Sequence, residues 1–465
     1  MIRSHNPHDP SDLVVECPAT SAADVASAVQ AARAAHFDWA GAPAAIRASA
    51  LAAAAALLSE HADEFVTLMV REVGKPVTEA RGELARSVAI LSYYAQQVYD
   101  PVGSVLEPSL GGMLYTHRRP HGVAGLITPW NFPLAIPLWK AAPALVFGNT
   151  VALKPAPEAT ACALRLAELL AEVLPDGVLW VLPGDAPTGR ALLQAVDVVS
   201  FTGSTTVGRQ VAAEAAQRGI PVQAEMGGQN PAIILPDADL TSAVNQIAAA
   251  AMGFAGQKCT ATKRVIVVGD ATAARETLVE AIGALPTGDP AEPECVVGPL
   301  IDAAARDRVE EAAADALAAG ARLLTGGSLE TDGWYCRPYV VDHLPAGHRL
   351  ARTEVFGPIV TLSAVDSLQE AIWHANDVDQ GLVAALYTTD LQAALSATPA
   401  LAAGLVKVNA PTTGVDFHAP FGGVKDSSIG GREQGKAAQD FYTTVHTISL
   451  ALPTAGRPRL TSRPS

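Results

Sequence analysis

Cysteine is scarce in this chain, and its placement predicts neither a disulfide framework nor a zinc site. Cys17, Cys162, Cys259, Cys295 and Cys336 are scattered over 465 residues, are odd in number and include no CxxC pair. Disulfide frameworks usually have an even number of cysteines, and zinc ligands are closely spaced. We therefore predict no metal site and expect a reducing compartment, the cytoplasm.

Clustered positive charge is also missing. The chain has 32 Lys and Arg against 47 Asp and Glu, a formal net charge of −15, and its longest basic run is a pair such as Arg118-Arg119. A general affinity for nucleic acid needs a basic patch. A nucleic-acid partner is therefore not expected.

Long apolar runs are absent as well. The apolar segment 51–58 is short and rich in alanine, as expected of a packed helix rather than a bilayer span. Residues 1–7 lack the apolar core of a signal peptide. Hydrophobic residues still make up 49% of the chain, enough for two or more buried cores. We expect a soluble protein without a membrane partner.

The hydrophobic pattern alternates between strands and helices. Residues 122–128, 150–154 and 198–201 predict short buried strands, with helical segments at 136–146 and 162–173 between them. A second strand-helix series runs from 264–268 to 404–409, and two helices, 21–40 and 44–73, precede both, with Ser21 as an N-cap. This alternation predicts an α/β fold with parallel sheets that place ligands at the carboxyl ends of their strands.

Three residues could carry covalent chemistry. Cys259 lies in Gly256-Gln257-Lys258-Cys259-Thr260, where a glycine turn can present the thiol and the neighbouring lysine would favour a thiolate. Glu225 ends a strand-like piece and runs into two glycines, and Asn131 lies in a proline-flanked turn. Taken singly, each has a simpler interpretation: a buried thiol, a surface carboxylate and a turn residue. Together they supply a nucleophile, a general base and an oxyanion donor.

Six segments, taken in their order along the chain, favour the functional interpretation of these three residues. They are Pro129-Trp130-Asn131-Phe132-Pro133, Phe201-Thr202-Gly203-Ser204, Glu225-Met226-Gly227-Gly228, Gly256-Gln257-Lys258-Cys259, Glu354-Val355-Phe356-Gly357-Pro358 and Pro420-Phe421-Gly422-Gly423. They resemble the signature segments of the aldehyde dehydrogenase superfamily and span about two-thirds of the chain. The resemblance implies a Rossmann-like cofactor domain, an α/β catalytic domain and a small β oligomerisation element.

The same resemblance implies a mechanism. Cys259 would add to the aldehyde carbon, and the Asn131 amide with the Cys259 backbone N–H would stabilise the oxyanion. After hydride transfer to a nicotinamide cofactor, Glu225 would activate water to hydrolyse the thioester. Family members that pass the acyl group to coenzyme A typically lack this glutamate, so a free carboxylic acid is the expected product.

Cofactor contacts are implied for six residues. They are Trp130 and Ser204 with Gly203 at the pyrophosphate, Lys154 at the adenosine ribose, and Glu354 and Phe356 at the nicotinamide end. Gly203 to Gly208 does not match the usual GxGxxG fingerprint, and on its own it predicts no more than a strand-helix turn. Pro157 stands where strict NAD enzymes of the family often carry a glutamate. We therefore expect NADP to be tolerated alongside NAD, unless Glu158 takes over the role of that acid.

The substrate is less well defined by sequence. The resemblance places six residues near the substrate: Phe132, Ile136, Trp139, Lys258, Thr260 and Phe421. Lys258 could anchor an acidic substrate tail or simply be solvated. Residues 408–423, with Ser427-Ser428 and 432–435, resemble the 2-oxoglutarate semialdehyde dehydrogenase subgroup. That subgroup favours a small anionic aldehyde, although Gln229 and the turn 429–431 depart from its pattern and leave room for phosphonate-bearing, aliphatic or aromatic aldehydes.

Domain limits follow from the resemblance. The predicted ranges are 1–101 and 121–227 for cofactor binding, 228–442 for catalysis, 102–120 and 443–452 for oligomerisation, and 453–465 for a disordered tail. The segment 444–450 alternates as an exposed pairing strand would, so a homodimer or homotetramer is expected. Two other functions remain open, a thiol esterase without redox chemistry and a binding protein that kept the fold and lost catalysis.

Overall fold

The computed structural model describes residues 1–109, 111–329 and 331–451. The strands of this part are β1 Ile2–His5, β2 Leu13–Cys17, β3 Val105–Leu106, β4 Met113–Pro120, β5 Val123–Ile127, β6 Thr150–Lys154, β7 Leu179–Val181, β8 Val198–Thr202, β9 Val222–Glu225, β10 Asn230–Ile234, β11 Thr262–Val268, β12 Arg322–Ser328, β13 Cys336–Asp342, β14 Ile359–Val365, β15 Gln380–Gly381, β16 Val383–Tyr387, β17 Leu405–Val408, β18 Val424–Lys425, β19 Ser428–Gly430 and β20 Thr443–Leu450.

The helices connect these strands. They are α1 Ala22–Gly41, α2 Ala44–Glu60, α3 Ala62–Val73, α4 Val77–Gln97, α5 Ala135–Val146, α6 Thr160–Ala171, α7 Ala186–Ala195, α8 Thr205–Arg218, α9 Leu240–Met252, α10 Thr272–Gly283, α11 Ala303–Ala318, α12 Arg349–Arg352, α13 Leu368–Asn376, α14 Leu391–Ala397 and α15 Ala437–Tyr442, with short 3-10 turns at Pro157–Ala159, Gly253–Gly256 and Thr398–Ala400. In the described residues no single helix is long and apolar enough to cross a bilayer, although α1 and α2, bent by 114°, pass that test as a pair.

The first large sheet has the order β7-β6-β5-β8-β9-β19. Its first five strands are parallel, and only β19 runs antiparallel, beside β9. Four of the five are buried on both faces or nearly so, as expected when helices cover a parallel sheet. The strand order reverses between the neighbours β5 and β8, so the crevice for a ligand lies at the carboxyl ends of those two strands.

The second large sheet has the order β12-β13-β14-β11-β10-β16-β17. It is parallel except for β12, which pairs antiparallel with β13. The two sheets meet where β9 ends at Glu225 and β10 begins at Asn230. The α/β class predicted from the alternation is therefore confirmed.

A third, three-stranded sheet has the order β20-β4-β3. Its apolar side chains Val105, Met113, Val445 and Leu450 are all exposed. The sheet uses the two ranges predicted for oligomerisation, apart from Leu110 and Leu452, which lie outside the described residues together with the predicted disordered tail.

Two details differ from the sequence predictions. Residues 44–73 were predicted as one helix, but His61, at φ −96° and ψ 21°, separates α2 from α3. Residues 428–430 lie in the range predicted for catalysis, yet they form β19 and pair with β9 of the first sheet. The predicted cap at Ser21 is confirmed, since its hydroxyl oxygen accepts from the Asp24 N–H at 3.2 Å.

Candidate active site

The carboxyl ends of the first sheet gather most of the predicted cofactor residues. β5 ends just before Trp130 and Asn131, β6 ends at Lys154, and β8 ends just before Gly203 and Ser204. Because β5 and β8 are parallel neighbours with Ile127 opposite Phe201, these turns lie side by side. This is the crevice in which open α/β sheets bind ligands.

Cys259 lies at the amino end of the second sheet, just before β11. The preceding turn is strained, because Phe254 and Ala255 adopt positive φ values of 54° and 51°. Gly256 also has a positive φ, and a Cβ there would lie 2.4 Å from the Gly357 carbonyl oxygen, so glycine is required. The strained turn holds the half-buried thiol at the end of a rigid strand.

The neighbouring segment 225–228 packs directly against the cysteine. A Cβ at Gly228 would lie 2.8 Å from the Cys259 carbonyl oxygen. Asn230 donates its side-chain amide to that oxygen at 2.7 Å and to the Ala261 carbonyl at 2.8 Å. The structure therefore brings the glutamate and cysteine motifs together.

Asn131 reaches the same turn from the first sheet. Its side-chain amide donates to the Gln257 carbonyl oxygen at 2.9 Å. Gln257 is itself held in place, because its side chain donates to the Phe254 and Pro299 carbonyls and accepts from the Ile301 N–H. An asparagine amide has two N–H donors, so one remains for a ligand beside Cys259.

Glu225 is buried, and only one of its oxygens is satisfied. Oε2 accepts from the Ser428 hydroxyl, whereas Oε1 has no hydrogen-bond partner within the part of the chain that the structure describes. Burial raises the pKa of Glu225 well above its usual range, and the nearby Glu433 raises it further, while Ser428, Lys140 and Arg432 lower it. A buried carboxyl with a raised pKa and a free oxygen is suited to general base chemistry.

Glu433 and Lys140 are charged residues beside Glu225 that the sequence argument did not assign. They form a buried ion pair, and Lys140 also donates to Ser200 at 2.8 Å. Lys140 lies in α5, in which every residue is buried. A lone lysine in an otherwise apolar helix indicates a buried anionic partner, so the sequence did contain a signal.

The Cys259 thiol has a raised pKa. Burial is the main cause, and the carboxylates of Glu354 and Glu225 add to it because they disfavour a nearby thiolate. The thiol is therefore the resting form at neutral pH in this state of the site. Forming the thiolate needs a proton acceptor or a positive charge brought by a ligand.

Glu354 marks the predicted nicotinamide end of the crevice. A Cβ at Gly227 would lie 1.9 Å from its Oε2, so the carboxyl rests on the backbone of the glutamate motif. Oε1 lacks a hydrogen-bond partner among the described residues. Burial raises the pKa of Glu354 to about 7, partly offset by Lys263. Lys263, also missed from sequence, has its pKa lowered by burial to about 8 and donates to the Gly256 and Gly357 carbonyls.

The aromatic side chains beside Glu354 form one cluster. Trp130 packs edge-on against Phe254 and Phe356, with ring centroids 6.1 Å and 5.8 Å apart. This cluster joins the first-sheet turn to the nucleophile turn and to the Glu354 loop. Trp130 and Phe356, both predicted to contact the cofactor, are therefore brought together.

The crevice fits a dinucleotide. Ser204 is the exposed N-cap of the 14-residue helix α8, whose open N-terminus suits a pyrophosphate. A Cβ at Gly203 would lie 2.6 Å from the Phe201 ring, so this position of the turn has no room for a side chain. At the other end, the unpartnered Glu354 Oε1 can accept from a ribose hydroxyl. These features would allow a pyrophosphate to approach the N-terminus of α8 and a ribose to approach Glu354.

Lys154 lies at the end where a ribose would be bound. It is buried, and burial lowers its pKa, whereas Glu158 and Asp185 raise it. Glu158 follows Pro157 in a 3-10 turn, and its own pKa is raised, mainly by burial. An acidic side chain therefore does stand near Lys154, one position after the proline.

Of the predicted substrate residues, Phe421 and Thr260 lie beside the thiol. Phe421 packs with Cys259 in one apolar cluster and approaches Trp139 with ring centroids 5.9 Å apart. Ile136 is buried on α5, and Thr260 is buried directly after the nucleophile. Phe132 is half-buried, with the Lys75 ammonium 3.9 Å from its ring centroid.

Lys258 is neither solvated nor free. Its Nζ donates to Glu79 Oε1 of α4 at 2.6 Å, and its side chain is only 10% exposed. The solvated alternative is therefore wrong. An acidic substrate tail would have to compete with Glu79 for this lysine.

Comparison with known proteins agrees with this arrangement. The family model described as the aldehyde dehydrogenase family matches residues 1–448. The chain is 40% identical over 460 residues to an alpha-ketoglutaric semialdehyde dehydrogenase of Bacillus subtilis, covering 96% of this chain and 94% of that one. It is 37% identical to an aminoacetaldehyde dehydrogenase of Pseudomonas aeruginosa, covering 94% and 90%.

A solved structure is similar over nearly the whole chain. PnpE in complex with nicotinamide adenine dinucleotide superposes with a TM-score of 0.94 at 35% identity, covering 99% of this chain and 96% of that one. A second structure, of PnpE from Pseudomonas sp. WBC-3, superposes with the same TM-score at 34% identity and the same coverage. The chain is therefore an oxidoreductase that belongs to the aldehyde dehydrogenase family.

Proposed function

We propose that the chain oxidises an aldehyde to a carboxylic acid through a covalent intermediate on Cys259. The observation that carries this is the convergence of three motifs: Asn131 donates to the carbonyl two residues before Cys259, and segment 225–228 packs on the cysteine itself. The nucleophile, the oxyanion donor and the base therefore share one site.

Each residue has a defined part in the reaction. The Cys259 thiol loses its proton to solvent, the thiolate sulfur forms a bond to the aldehyde carbon, and the carbonyl π electrons move to oxygen. The resulting oxyanion is held by the free N–H of Asn131 and the Cys259 backbone N–H. A nicotinamide cofactor would accept the hydride that leaves this carbon. The resulting thioester is attacked by water, whose proton passes to Glu225, and the carbon–sulfur bond breaks to free the acid.

Cofactor binding is proposed for the crevice of the first sheet. Trp130, Gly203 and Ser204 would hold the pyrophosphate, Lys154 the adenosine ribose, and Glu354 and Phe356 the nicotinamide end. NAD is supported by the complex of PnpE. NADP is supported by Pro157, which places no carboxylate against a 2′-phosphate, and opposed by the nearby Glu158.

The substrate is proposed to be a small anionic aldehyde, with 2-oxoglutarate semialdehyde the best single candidate. The name of the Bacillus subtilis relative supports it. The Pseudomonas aeruginosa relative is named for an aldehyde with an amino group, so the names of relatives leave the substrate charge open. Phosphonate-bearing, aliphatic and aromatic aldehydes are the alternatives to be measured beside it.

A panel of aldehydes tests the proposal. Reduced cofactor is measured with NAD and with NADP for anionic, phosphonate-bearing, neutral and aromatic aldehydes, using wild type, Cys259→Ala and the matched control Cys17→Ala, at a half-buried cysteine in β2. We expect oxidation by wild type and Cys17→Ala and none by Cys259→Ala. Undiminished oxidation by Cys259→Ala would overturn the mechanism.

The same variants address the two rival functions. A thiol esterase would cleave p-nitrophenyl acetate without any nicotinamide and would oxidise no aldehyde. A binding protein without catalysis would do neither, and its Cys259→Ala variant would behave as wild type in both assays. The redox function is favoured over both rivals by the buried Glu354 Oε1, which has no hydrogen-bond partner among the described residues and could accept from a cofactor ribose.

We also propose that copies of the chain associate through the third sheet, which lies in the two ranges predicted for oligomerisation. In the described residues, β20 is an edge strand of the third sheet and β17 is an edge strand of the second sheet. Val445 on β20 is 51% exposed. An edge strand with exposed apolar side chains is suited to pairing with a second copy. Light scattering should give a dimer or tetramer of 47.9 kDa chains. Val445→Lys should weaken this association, whereas the control Leu391→Lys, at an exposed position of α14, should not. A monomeric wild type would overturn this assembly.

A further inference from the structure

One arginine near the site is half-buried yet lacks a partner. Arg86 of α4 makes no hydrogen bond or ion pair with the residues that the structure describes, and burial lowers its pKa. Withdrawing a guanidinium from water without a counter-group costs free energy. A partner from outside the chain would offset that cost.

The position of Arg86 on its helix relates it to the nucleophile. Glu79, Arg86 and Tyr93 are seven residues apart and half-buried, so they form one stripe along α4. At one end Glu79 binds Lys258, the residue before Cys259. Arg86 lies about 10 Å further along the axis, since a helix rises about 1.5 Å per residue.

The other end of the stripe meets the loop that leads to Phe421. Tyr93 packs edge-on against Phe417, with ring centroids 5.7 Å apart, and the charge of Asp416 acts on Arg86. Val415, one residue earlier, packs in the same apolar cluster as Cys259. Arg86 therefore stands between the nucleophile turn and loop 415–418.

The charges around Arg86 leave one positive charge uncompensated. The carboxylates of Glu83 and Asp416 both act on Arg86, but Glu83 is already paired with the buried Lys75. Lys407 donates only to the Thr413 and Gly414 carbonyls and forms no ion pair among the described residues. Asp416 can neutralise only one of the two cations, Arg86 and Lys407. In a chain of net charge −15, such a local excess would attract an anion that the rest of the surface repels.

Helix α4 carries a glycine, Gly82, one turn before Arg86. Gly82 lies on the same face, one turn earlier, and a Cβ there would have no atom within 4 Å. Glycine in a helix interior lowers stability, so its presence needs another reason than helix formation. Gly82 is itself exposed, so the helix is open to solvent one turn before Arg86.

We propose that Arg86 is the specificity-determining residue that binds the anionic tail of the aldehyde, whether carboxylate or phosphonate, while Lys258 stays paired with Glu79. This proposal rests on the proposed function and refines it. A guanidinium binds either anion through two parallel N–H donors. Arg86 does not contact the reacting carbon, so it selects substrates without taking part in the chemistry.

Substrate kinetics test the selection. Arg86→Gln is compared with Arg81→Gln, a control at an exposed arginine of the same helix, using succinic semialdehyde, phosphonoacetaldehyde and butanal. We expect Arg86→Gln to lower kcat/KM for the anionic aldehydes by about 10- to 100-fold, mainly through KM, and to leave butanal unchanged. Loss for only one anionic aldehyde would identify which anion the site takes. An equal change for all three aldehydes would overturn the proposal.

A second readout does not depend on oxidation. Alkylation of Cys259 by iodoacetamide is followed by mass spectrometry, and 2-oxoglutarate bound in the site should slow it, whereas neutral 1,5-pentanediol should not. We expect Arg86→Gln to need at least about tenfold more 2-oxoglutarate for half-protection, with Arg81→Gln as wild type. Unchanged protection in Arg86→Gln would overturn the assignment.

The two experiments separate the proposals. If wild type oxidises no aldehyde, the proposed function fails, and the alkylation assay still decides whether Arg86 binds anions. If wild type oxidises butanal and the anionic aldehydes alike, and Arg86→Gln alters none of them, the proposed function stands and the role of Arg86 is refuted.

Discussion

The side-chain amide of Asn131 donates to the main-chain carbonyl of Gln257 at 2.9 Å, two residues before Cys259. This bond joins a turn of the first sheet to the nucleophile turn of the second. It also orients the amide, since its second N–H must then point elsewhere. Preorganised donors of this kind stabilise an oxyanion without reorganisation.

Replacing Asn131 should therefore slow the chemistry while leaving the fold intact. We expect Asn131→Ala to lower kcat by about 100- to 1000-fold, because one oxyanion donor is lost. Asn245→Ala, at an exposed position of α9, is the matched control and should behave as wild type. A wild-type kcat in Asn131→Ala would remove this residue from the oxyanion site.

The pKa of Glu225 predicts the acid limb of the pH profile. A general base must be ionised, and burial with the nearby Glu433 raises the pKa of Glu225. The hydrolytic step should therefore gain rate with pH at values well above the ordinary glutamate pKa of about 4.3. Ser428→Ala removes a bond that lowers this pKa, so its acid limb should lie at higher pH than that of wild type.

The same pKa predicts a stability effect with a defined sign. A carboxyl whose pKa is raised on folding stabilises the fold fully below its unfolded pKa, and this contribution is lost as pH rises toward its folded pKa. Glu225→Gln stays neutral and should unfold at a higher temperature than wild type at pH 7 or above. Equal melting temperatures for the two proteins from pH 5 to 9 would contradict the raised pKa.

Glu354 should make cofactor binding depend on pH. Its pKa of about 7 means that the carboxylate, the better acceptor for ribose hydroxyls, forms between pH 6 and 8. We expect the dissociation constant of NAD, measured by calorimetry, to fall about three- to tenfold over that range. Glu354→Gln should abolish the dependence, and Glu276→Gln, exposed on α10, should keep it. A dependence that persists in Glu354→Gln would assign it to another group.

Cofactor choice should respond to the two residues that follow Ala156. A carboxylate at position 157 would face a 2′-phosphate, and like charges repel. We expect Pro157→Glu to lower kcat/KM for NADP by about tenfold or more relative to NAD, and Glu158→Gln to raise it. If wild type cannot use NADP where NAD saturates, and Glu158→Gln does not change this, neither residue controls the choice.

Sequence reasoning assigned candidate site residues that lie in local motifs and missed contacts that depend on distant partners. Asn131, Glu225 and Cys259 each stand in a glycine- or proline-framed turn, and the parallel sheets follow from the alternation of elements. Lys140 and Glu433 are 293 residues apart, and Lys258 and Glu79 are 179 apart. No periodicity links such pairs.

Two features of the fold were also not predicted from the sequence. The break at His61 was missed, because the alanine-rich α2 before it and the amphipathic α3 after it continue the helical pattern. Residues 428–430 lie within the range predicted for catalysis but pair with β9, since the chain returns to the first sheet near its end. Such returns depend on tertiary packing rather than on local propensity.

The most direct test of the covalent mechanism is a single-turnover experiment on Glu225→Gln. The variant is mixed with succinic semialdehyde and NAD, reduced cofactor is followed, and the protein is analysed by mass spectrometry. The account predicts a burst of one reduced cofactor per site and an acyl group on Cys259, because the thioester forms but is not hydrolysed. Steady turnover at the wild-type rate, or a burst with no acyl group on Cys259, would contradict it.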